Sequence, residues 1–347
     1  MVSKFLLSSV NKKYYSQIYN NYLKVLKSEH NPIFSPSNKN GWDSHNHVAG
    51  NCFIKDKEGR LVLLYYAAGD NSSVTSVGMA TTLDGENFIR RDTPVLSRGD
   101  PGEWDSGGVS VYPNCVIQRK DGSYMMFYSG FKEGTPDIYH SGAIGLATST
   151  DLIQWKKYEK NPIITPSEGD SWDSLGVFEP SVYFTGNHYG HPGAYKMWYG
   201  GSDKNLRFQI GYAESKDGYN WIKSESNPVL SYTDNGIDFD SYSVEVHSVS
   251  MINNKFVMFY EAIKSAFPYP FSVGMAISND GIRWEKSSNN PILEGGMPGE
   301  WDAMGAYHPS LVHLENKYLL YYVGLDYSYT HRIGVAELNP AVLDLIK

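Results

Sequence analysis

Three glutamates, Glu179, Glu245 and Glu261, stand where the surrounding residues are apolar or β-branched, in Phe178-Glu179-Pro180-Ser181, Glu245-Val246-His247-Ser248 and Tyr260-Glu261-Ala262. A carboxylate placed in such a strand loses hydration, holds its proton to higher pH and becomes a candidate general acid. His47, His247 and His308 occupy similar stretches. An imidazole titrates near neutrality and can act as base. The three histidines with Glu179 or Glu245 would also form a ligand set for a divalent metal ion. Glu179, Glu245, Glu261 and His308 are therefore the catalytic candidates. His47, Asp70, Tyr112, Lys132, Asp203, His247 and Asp326 are the candidates for holding a ligand.

These residues are conspicuous because the chain supplies its own comparison. A Trp-Asp or Phe-Asp pair recurs at Asp43, Asp105, Asp173, Asp240 and Asp302, and about eleven residues upstream of each stands Pro32, Pro94, Pro162, Pro228 or Pro291. A period of this kind sets the fold before any single motif does. What all five units share is expected to be structural, and what breaks the pattern marks the site. The slot before the Pro in the first apolar strand of a unit reads Ala49, Tyr112, Glu179, Val246 and His308. The position after the Tyr of the second strand reads Ala67, Ser129, Gly200, Glu261 and Val323, with Glu261 the sharpest departure. Four residues after that Tyr come Asp70, Lys132, Asp203, Lys264 and Asp326.

The elements that must position these residues are strands. In the third unit Val177–Phe184, Tyr195–Tyr199, Gln209–Ala213 and Asn220–Lys223 carry the β-branched and aromatic signal. Asp84-Gly85, Asp217-Gly218 and Asp280-Gly281 mark hairpins between third and fourth strands. Small antiparallel sheets of this size cannot bury both faces alone, and radial stacking is the solution open to them. The expectation is an all-β chain: a five-bladed β-propeller of four-stranded antiparallel blades over residues 30–347, preceded by an N-terminal segment, 1–29. The last unit supplies three strands, so its fourth is expected from the N-terminus, from residues 3–9 or 24–29. Tyr15, Ile18, Tyr19, Tyr22 and Leu26 fall at helical spacing and suggest a short amphipathic helix within 14–27.

Composition narrows the partners. The net charge of −8 with no basic cluster argues against nucleic acid. No apolar run is long enough to span a membrane, and Phe5-Leu6-Leu7 is too short for a signal-peptide core, which makes the cytoplasm the default location. Cys52 and Cys115 occupy equivalent places in two units and read as small core residues. The repeated Trp-Asp pairs, with Phe88, Trp155, Trp221 and Trp284, read as packing between blades. Arg98-Gly99-Asp100-Pro101 reads as loop architecture, because Pro101-Gly102-Glu103-Trp104 returns as Pro298-Gly299-Glu300-Trp301. Tyr139, Phe267, Tyr269, Phe271, Tyr327 and Tyr329 in the loops joining second and third strands add aromatic rings beside the acidic groups, a combination suited to the apolar and hydroxylated faces of a sugar.

Over residues 30–338 the phrases Trp172-Asp173-Ser174, Glu179-Pro180-Ser181-Val182, Met197-Trp198-Tyr199-Gly200, Ile210-Gly211-Tyr212-Ala213 and Asn227-Pro228-Val229-Leu230 resemble the five-bladed propeller glycoside hydrolases of families 32, 43, 62, 68, 117 and 130. In families 32 and 43 the resemblance implies an Asp in blade one as base or nucleophile, a supporting Asp in blade two and a Glu in blade three as general acid. Glu179 matches the third position. Blade one offers Ala49 with His47 nearby, and blade two Tyr112, so the partner of Glu179 would be atypical: Glu245, Glu261, or one of His47, His247 and His308. Three readings follow: cleavage or transfer of a glycosidic bond in a sugar or oligosaccharide with Glu179 as acid, a glycan-binding propeller without catalysis, or a metal site held by His47, His247 and His308.

Overall fold

Segments rich in Val, Ile, Tyr, Phe and Met, such as Leu61–Ala68 and Tyr124–Phe131, form strands buried along their whole length, as strands do when a sheet is covered on both faces. A computed structural model describes residues 24–344, apart from 38–40, 46, 70–73, 137, 187–192, 267–270, 315 and the side chain of Tyr139. A first short strand, β1 (Val25–Lys27), precedes the repeats. The first unit is β2 (Val48–Lys55), β3 (Leu61–Ala68), β4 (Thr75–Thr82) and β5 (Ile89–Arg90), paired antiparallel in that order. In the second unit the first strand is split into β6 (Gly108–Ser110) and β7 (Val116–Gln118), both on β8 (Tyr124–Phe131), followed by β9 (Ala143–Ser149) and β10 (Lys156–Lys157). The third is β11 (Gly176–Phe184), β12 (Tyr195–Ser202), β13 (Phe208–Ser215) and β14 (Ile222–Lys223). The fourth is β15 (Ser243–Ile252), β16 (Lys255–Ile263), β17 (Phe271–Ser278) and β18 (Glu285–Lys286), with β19 (Leu293–Glu294) also on β17. The fifth is β20 (Gly305–Leu314), β21 (Lys317–Leu325) and β22 (His331–Leu338), and β1 completes it against β22.

The first strands β2, β7, β11, β15 and β20 touch one another in a closed ring, and later strands lie progressively outward. The chain is a β-propeller. Of the two segments considered for closure, the described one is 24–29, where Leu26 lies opposite Glu337. Residues 25–27 are thus strand, not helix; residues 3–9 and the rest of the expected helix lie outside the described residues.

The repeated aspartates are structural. Asp173 is fully buried and accepts hydrogen bonds from the Tyr199 hydroxyl at 3.4 Å and Lys223 Nζ at 2.6 Å, while Asn227 reaches the same hydroxyl at 3.1 Å. Asp105 with Tyr128, Lys157 and Asn161 repeats the arrangement, as does Asp240 with Tyr260, Lys286 and Asn290. In the fifth unit Lys27 of β1 supplies the cation, 2.7 Å from Asp302. Lys27 thereby takes the place that Lys157, Lys223 and Lys286 hold in their fourth strands. In the first unit Asp43 bonds Tyr65 and pairs with Arg90. Each Trp covers a third-strand glycine: a Cβ on Gly211 would lie 2.6 Å from Trp172. Cys52 and Cys115 are free, buried and part of one apolar cluster.

Candidate active site

Each first strand is interrupted where it reaches the axis. The register slips between Ala49 and Cys52, Phe178 and Ser181, Glu245 and His247, and Tyr307 and Ser310. Such a bulge turns a side chain out of the alternation and often lies beside a functional site. Here it places Glu179 at φ 59° and His308 at φ 49°, in the left-handed region that a residue bearing a side chain seldom adopts. Register also shows that Gly50, not Ala49, occupies the slot of Glu179 in the first unit, since Ala49 lies opposite Tyr66 as Phe178 lies opposite Gly200. Gly50 has φ 107°, and a Cβ there would lie 2.4 Å from the Val111 carbonyl.

The second-strand slot needs the same correction. Tyr65, not Tyr66, bonds the repeated aspartate and lies opposite the third-strand glycine, so the ring of equivalent residues is Tyr66, Ser129, Gly200, Glu261 and Val323. Ala67 and Asp70 are therefore one position out of step, and Asp70 lies outside the described residues.

Three carboxyl groups meet at this ring. Glu179 is fully buried, Glu245 and Glu261 nearly so. Glu245 lies directly opposite Glu261 on the neighbouring strand. Burial raises the Glu179 carboxyl well above the usual carboxylate range, and the charges of Glu245 and Glu261 push it further. Glu261 is raised well above that range by burial and then by Glu245. Glu245 is pushed up to about 8 by burial alone. The carboxyl of Glu179 has no close side-chain partner among the described residues, only the Val246 amide acting on it, and Oε2 of Glu245 has no hydrogen-bond partner. The backbone amide of Glu179 donates to Ser129 Oγ at 2.9 Å. Gly200 leaves its side chain room, because a Cβ there would lie 2.9 Å from Glu179 Oε2.

Tyrosines and histidines complete the cluster. The hydroxyls of Tyr66 and Tyr112 are hydrogen-bonded to each other, and burial first, then Glu179 for Tyr66 and Tyr66 followed by Glu179 for Tyr112, keep both protonated. Tyr307 faces Glu261 and Glu245, and its hydroxyl is hydrogen-bonded to His331 Nδ1. His331 lies against His47, ring centres 4.1 Å apart. His308 donates its backbone amide to Glu261 Oε2 at 3.3 Å, and its Nε2 lies 3.8 Å from the same oxygen. Burial lowers His308 and His331 well below the ordinary imidazole value and takes His47 to about 4, so all three are neutral at pH 7.

The other candidates sit elsewhere. His247 is held to about 4 by burial, and the backbone of Trp198 and Glu245 acts in the opposite direction; its ring does not join His47 and His308. Among the described residues no group of three or more His, Cys, Asp or Glu is arranged to hold a metal ion, which removes the metal set of His47, His247 and His308. Asp203 accepts the amides of Asn205 and Arg207, and Asp326 those of Ser328 and Thr330 together with Arg332. Both carboxylates shape their own turns. Lys132 is exposed. Tyr66, Tyr307 and His331 were not singled out from sequence. Tyr66 was hidden by its neighbour Tyr65, and His331 opens a third strand where the repeat has no fixed residue.

The family model described as "Glycosyl hydrolases family 32 N-terminal domain" matches residues 111–241, the segment that contributes Tyr112 and Glu179. An uncharacterized protein of Mycobacterium tuberculosis is 25% identical over 319 residues, covering 88% of this chain and 97% of its own. A 1,2-beta-oligomannan phosphorylase of Thermoanaerobacter sp. is 31% identical over 141 residues, 39% of this chain and 44% of that protein. Among solved structures, a glycosyl hydrolase from Bacteroides ovatus aligns with a TM-score of 0.71 at 20% identity, over 91% of this chain and 94% of that one. The beta-1,2-mannobiose phosphorylase of Listeria innocua aligns at 0.69 and 14% identity, over 93% and 99%. The chain is thus similar to glycoside hydrolases in its β-propeller fold and, over residues 111–241, to the family 32 N-terminal domain.

Proposed function

We propose that the chain is an enzyme that cleaves or transfers a glycosidic bond at the axis of a five-bladed propeller. The observation that carries this reading is the meeting of Glu179, Glu245 and Glu261, three buried carboxyl groups from neighbouring units whose charges oppose one another. Such a group cannot ionise as a whole at neutral pH, so it holds a proton to give. Burial and two acidic neighbours keep Glu179 protonated, which suits the donor to the leaving oxygen. Glu245, pushed up to about 8 by burial alone, ionises most readily of the three, and its ionised fraction, which grows as pH rises toward 8, suits the base or nucleophile. Glu261, held by the amide of His308, tunes both.

The acceptor is a neutral oxygen, water or a sugar hydroxyl, in this reading. None of the charges that act on Glu179, Glu245 or Glu261 comes from a Lys or Arg, and the nearby histidines are neutral. Among the described residues, a phosphate there would meet three carboxyl groups with no Lys or Arg acting on them. The test is turnover of a panel of β-linked manno- and gluco-disaccharides by wild type and Glu179→Gln, with and without inorganic phosphate. Cleavage independent of phosphate, lost about 10²–10⁴-fold in the variant while sugar binding persists, is expected. Full activity in Glu179→Gln would overturn the assignment of the acid, and activity only with phosphate would overturn that of the acceptor.

A further inference from the structure

One pair of positions beside the axis is apolar in the third unit and polar in the fifth. Opposite the ends of the second strands, the third strands begin with Thr75, Phe208, Phe271 and His331 in the first, third, fourth and fifth units. Just before the first-strand bulges of the same four units stand Ala49, Phe178, Glu245 and Tyr307. In the third unit Phe178 meets Phe208 with ring centres 5.9 Å apart and planes at 73°. In the fifth, Tyr307 meets His331 at 5.8 Å and 76°. The packing is the same, so the hydroxyl and the imidazole are not needed to fill the space, and they are hydrogen-bonded to each other.

The direction of that bond matters to the carboxyl groups. A phenol carries one proton, and a neutral imidazole offers one nitrogen as an acceptor. His331 is neutral, so its Nδ1 can accept the Tyr307 hydroxyl. Once the proton is committed there, Tyr307 offers only lone pairs to its other neighbours. Those are His308 beside it, ring centres 4.6 Å apart, Tyr66 from β3, and Glu245 and Glu261 from β15 and β16, whose charges reach it. Phe271 of β17 stacks on its ring at 4.9 Å. Around His331, the ring of His47 lies 4.1 Å away, and the charge of Arg332 is taken by Asp326. A hydroxyl that only accepts cannot stabilise a carboxylate, but it can take a hydrogen bond from a protonated carboxyl or a sugar hydroxyl.

We propose that His331 is a positioning residue: it holds the Tyr307 proton, so that Tyr307 meets the acidic cluster as an acceptor and helps to keep a proton on it. Its part in turnover rests on the axial reading above; the titration that tests it does not. The test is NMR of protein carrying glutamate labelled at the carboxyl carbon, titrated from pH 5 to pH 9. The axial signals are assigned with Glu179→Gln, Glu245→Gln and Glu261→Gln. His331→Phe frees the Tyr307 proton and is expected to lower the apparent titration midpoint of the cluster by about one pH unit. With Tyr307→Phe already in place, adding His331→Phe is expected to change nothing. That double variant restores the Phe pair of the third unit, so it should fold. Nitrogen NMR of labelled histidine in the wild type should show His331 protonated on Nε2 and not on Nδ1, which decides the matter if His331→Phe fails to fold. A proton on Nδ1, an unmoved midpoint in His331→Phe, or an equal drop in the presence of Tyr307→Phe would each overturn the proposal. Loss of the axial reading would leave the carboxyl titration as it stands, so the two fail separately.

Discussion

The carboxyl group most exposed to a stability test is Glu245. It is 4% exposed, lies opposite Glu261 and has one oxygen without a hydrogen bond. Its ordinary value of 4.5 is pushed up to about 8 by burial. Between those values the folded chain holds a proton that the unfolded chain has released. Stability therefore falls with rising pH by about 1.4 kcal/mol per pH unit. The protonated group's contribution is fully present below about pH 4.5 and fully lost above about pH 8, a total of about 5 kcal/mol, part of which relaxation and water entry return. Glu245→Gln keeps the shape and removes the titration. Urea denaturation in steps from pH 5 to pH 9 should show the wild type losing stability more steeply than the variant by one proton's share, since Glu179 and Glu261 still titrate in both, with the variant ahead by about 2–5 kcal/mol at the alkaline end. Parallel curves for the two proteins would refute the claim that burial holds this carboxyl protonated at neutral pH.

Three further perturbations follow from named contacts. Lys223→Met leaves fully buried Asp173 without its cation, 2.6 Å away, and should cost about 3–5 kcal/mol in urea denaturation; adding Asp173→Asn should return much of that loss. Tyr66→Phe deletes the hydroxyl bonded to Tyr112 beside the carboxyl cluster and should lower kcat by about 10²-fold, with the melting temperature unchanged. Removing residues up to Asn31 takes away β1 and leaves Asp302 without Lys27, so the thermal transition should move down by several degrees.

The fold was legible because the repeat states its structural residues five times. The aspartates, the second-strand tyrosines and the Asn-Pro phrases could be assigned to architecture by recurrence alone, and their hydrogen bonds bear that out. The strands followed from the same count, as did the need for a closing strand from the N-terminus, but the choice between residues 3–9 and 24–29 did not. The site was legible only where a departure changed chemical class. Glu261 stood out because its equivalents are Ser129, Gly200 and Val323, and Glu179 because a carboxylate faced a row of apolar strands. Tyr66 was missed because Tyr65 beside it hid a one-residue shift in register, which only the bond from Tyr65 to Asp43 resolves. Asp203 and Asp326 illustrate the converse. A carboxylate that closes its own turn and one that waits for a ligand look alike in sequence, and they differ only in where their hydrogen bonds go.

The departures at the axis are not independent, and this is why one scaffold can carry an asymmetric site without losing its symmetry of construction. Two rings of equivalent positions line the axis, one at the first-strand bulges and one on the second strands, and each unusual residue in one ring is matched in the other. Ser129 of the second unit accepts the amide of Glu179 in the third, which fixes a backbone held in the left-handed region. Gly200, within the third unit, leaves out the side chain that would strike the Glu179 carboxyl. Glu261 of the fourth unit accepts the amide of His308 in the fifth, and the carbonyl of His308 accepts Asn51 of the first. The bulges of the third and fifth units are thus stabilised by their neighbours, while the Asp-Tyr-Lys-Asn networks farther out remain untouched. A strained residue at the axis costs its own unit little when an adjacent unit supplies the missing hydrogen bond. In the proposed reading the chemistry is therefore set by a handful of positions in two rings, and the architecture by residues away from them.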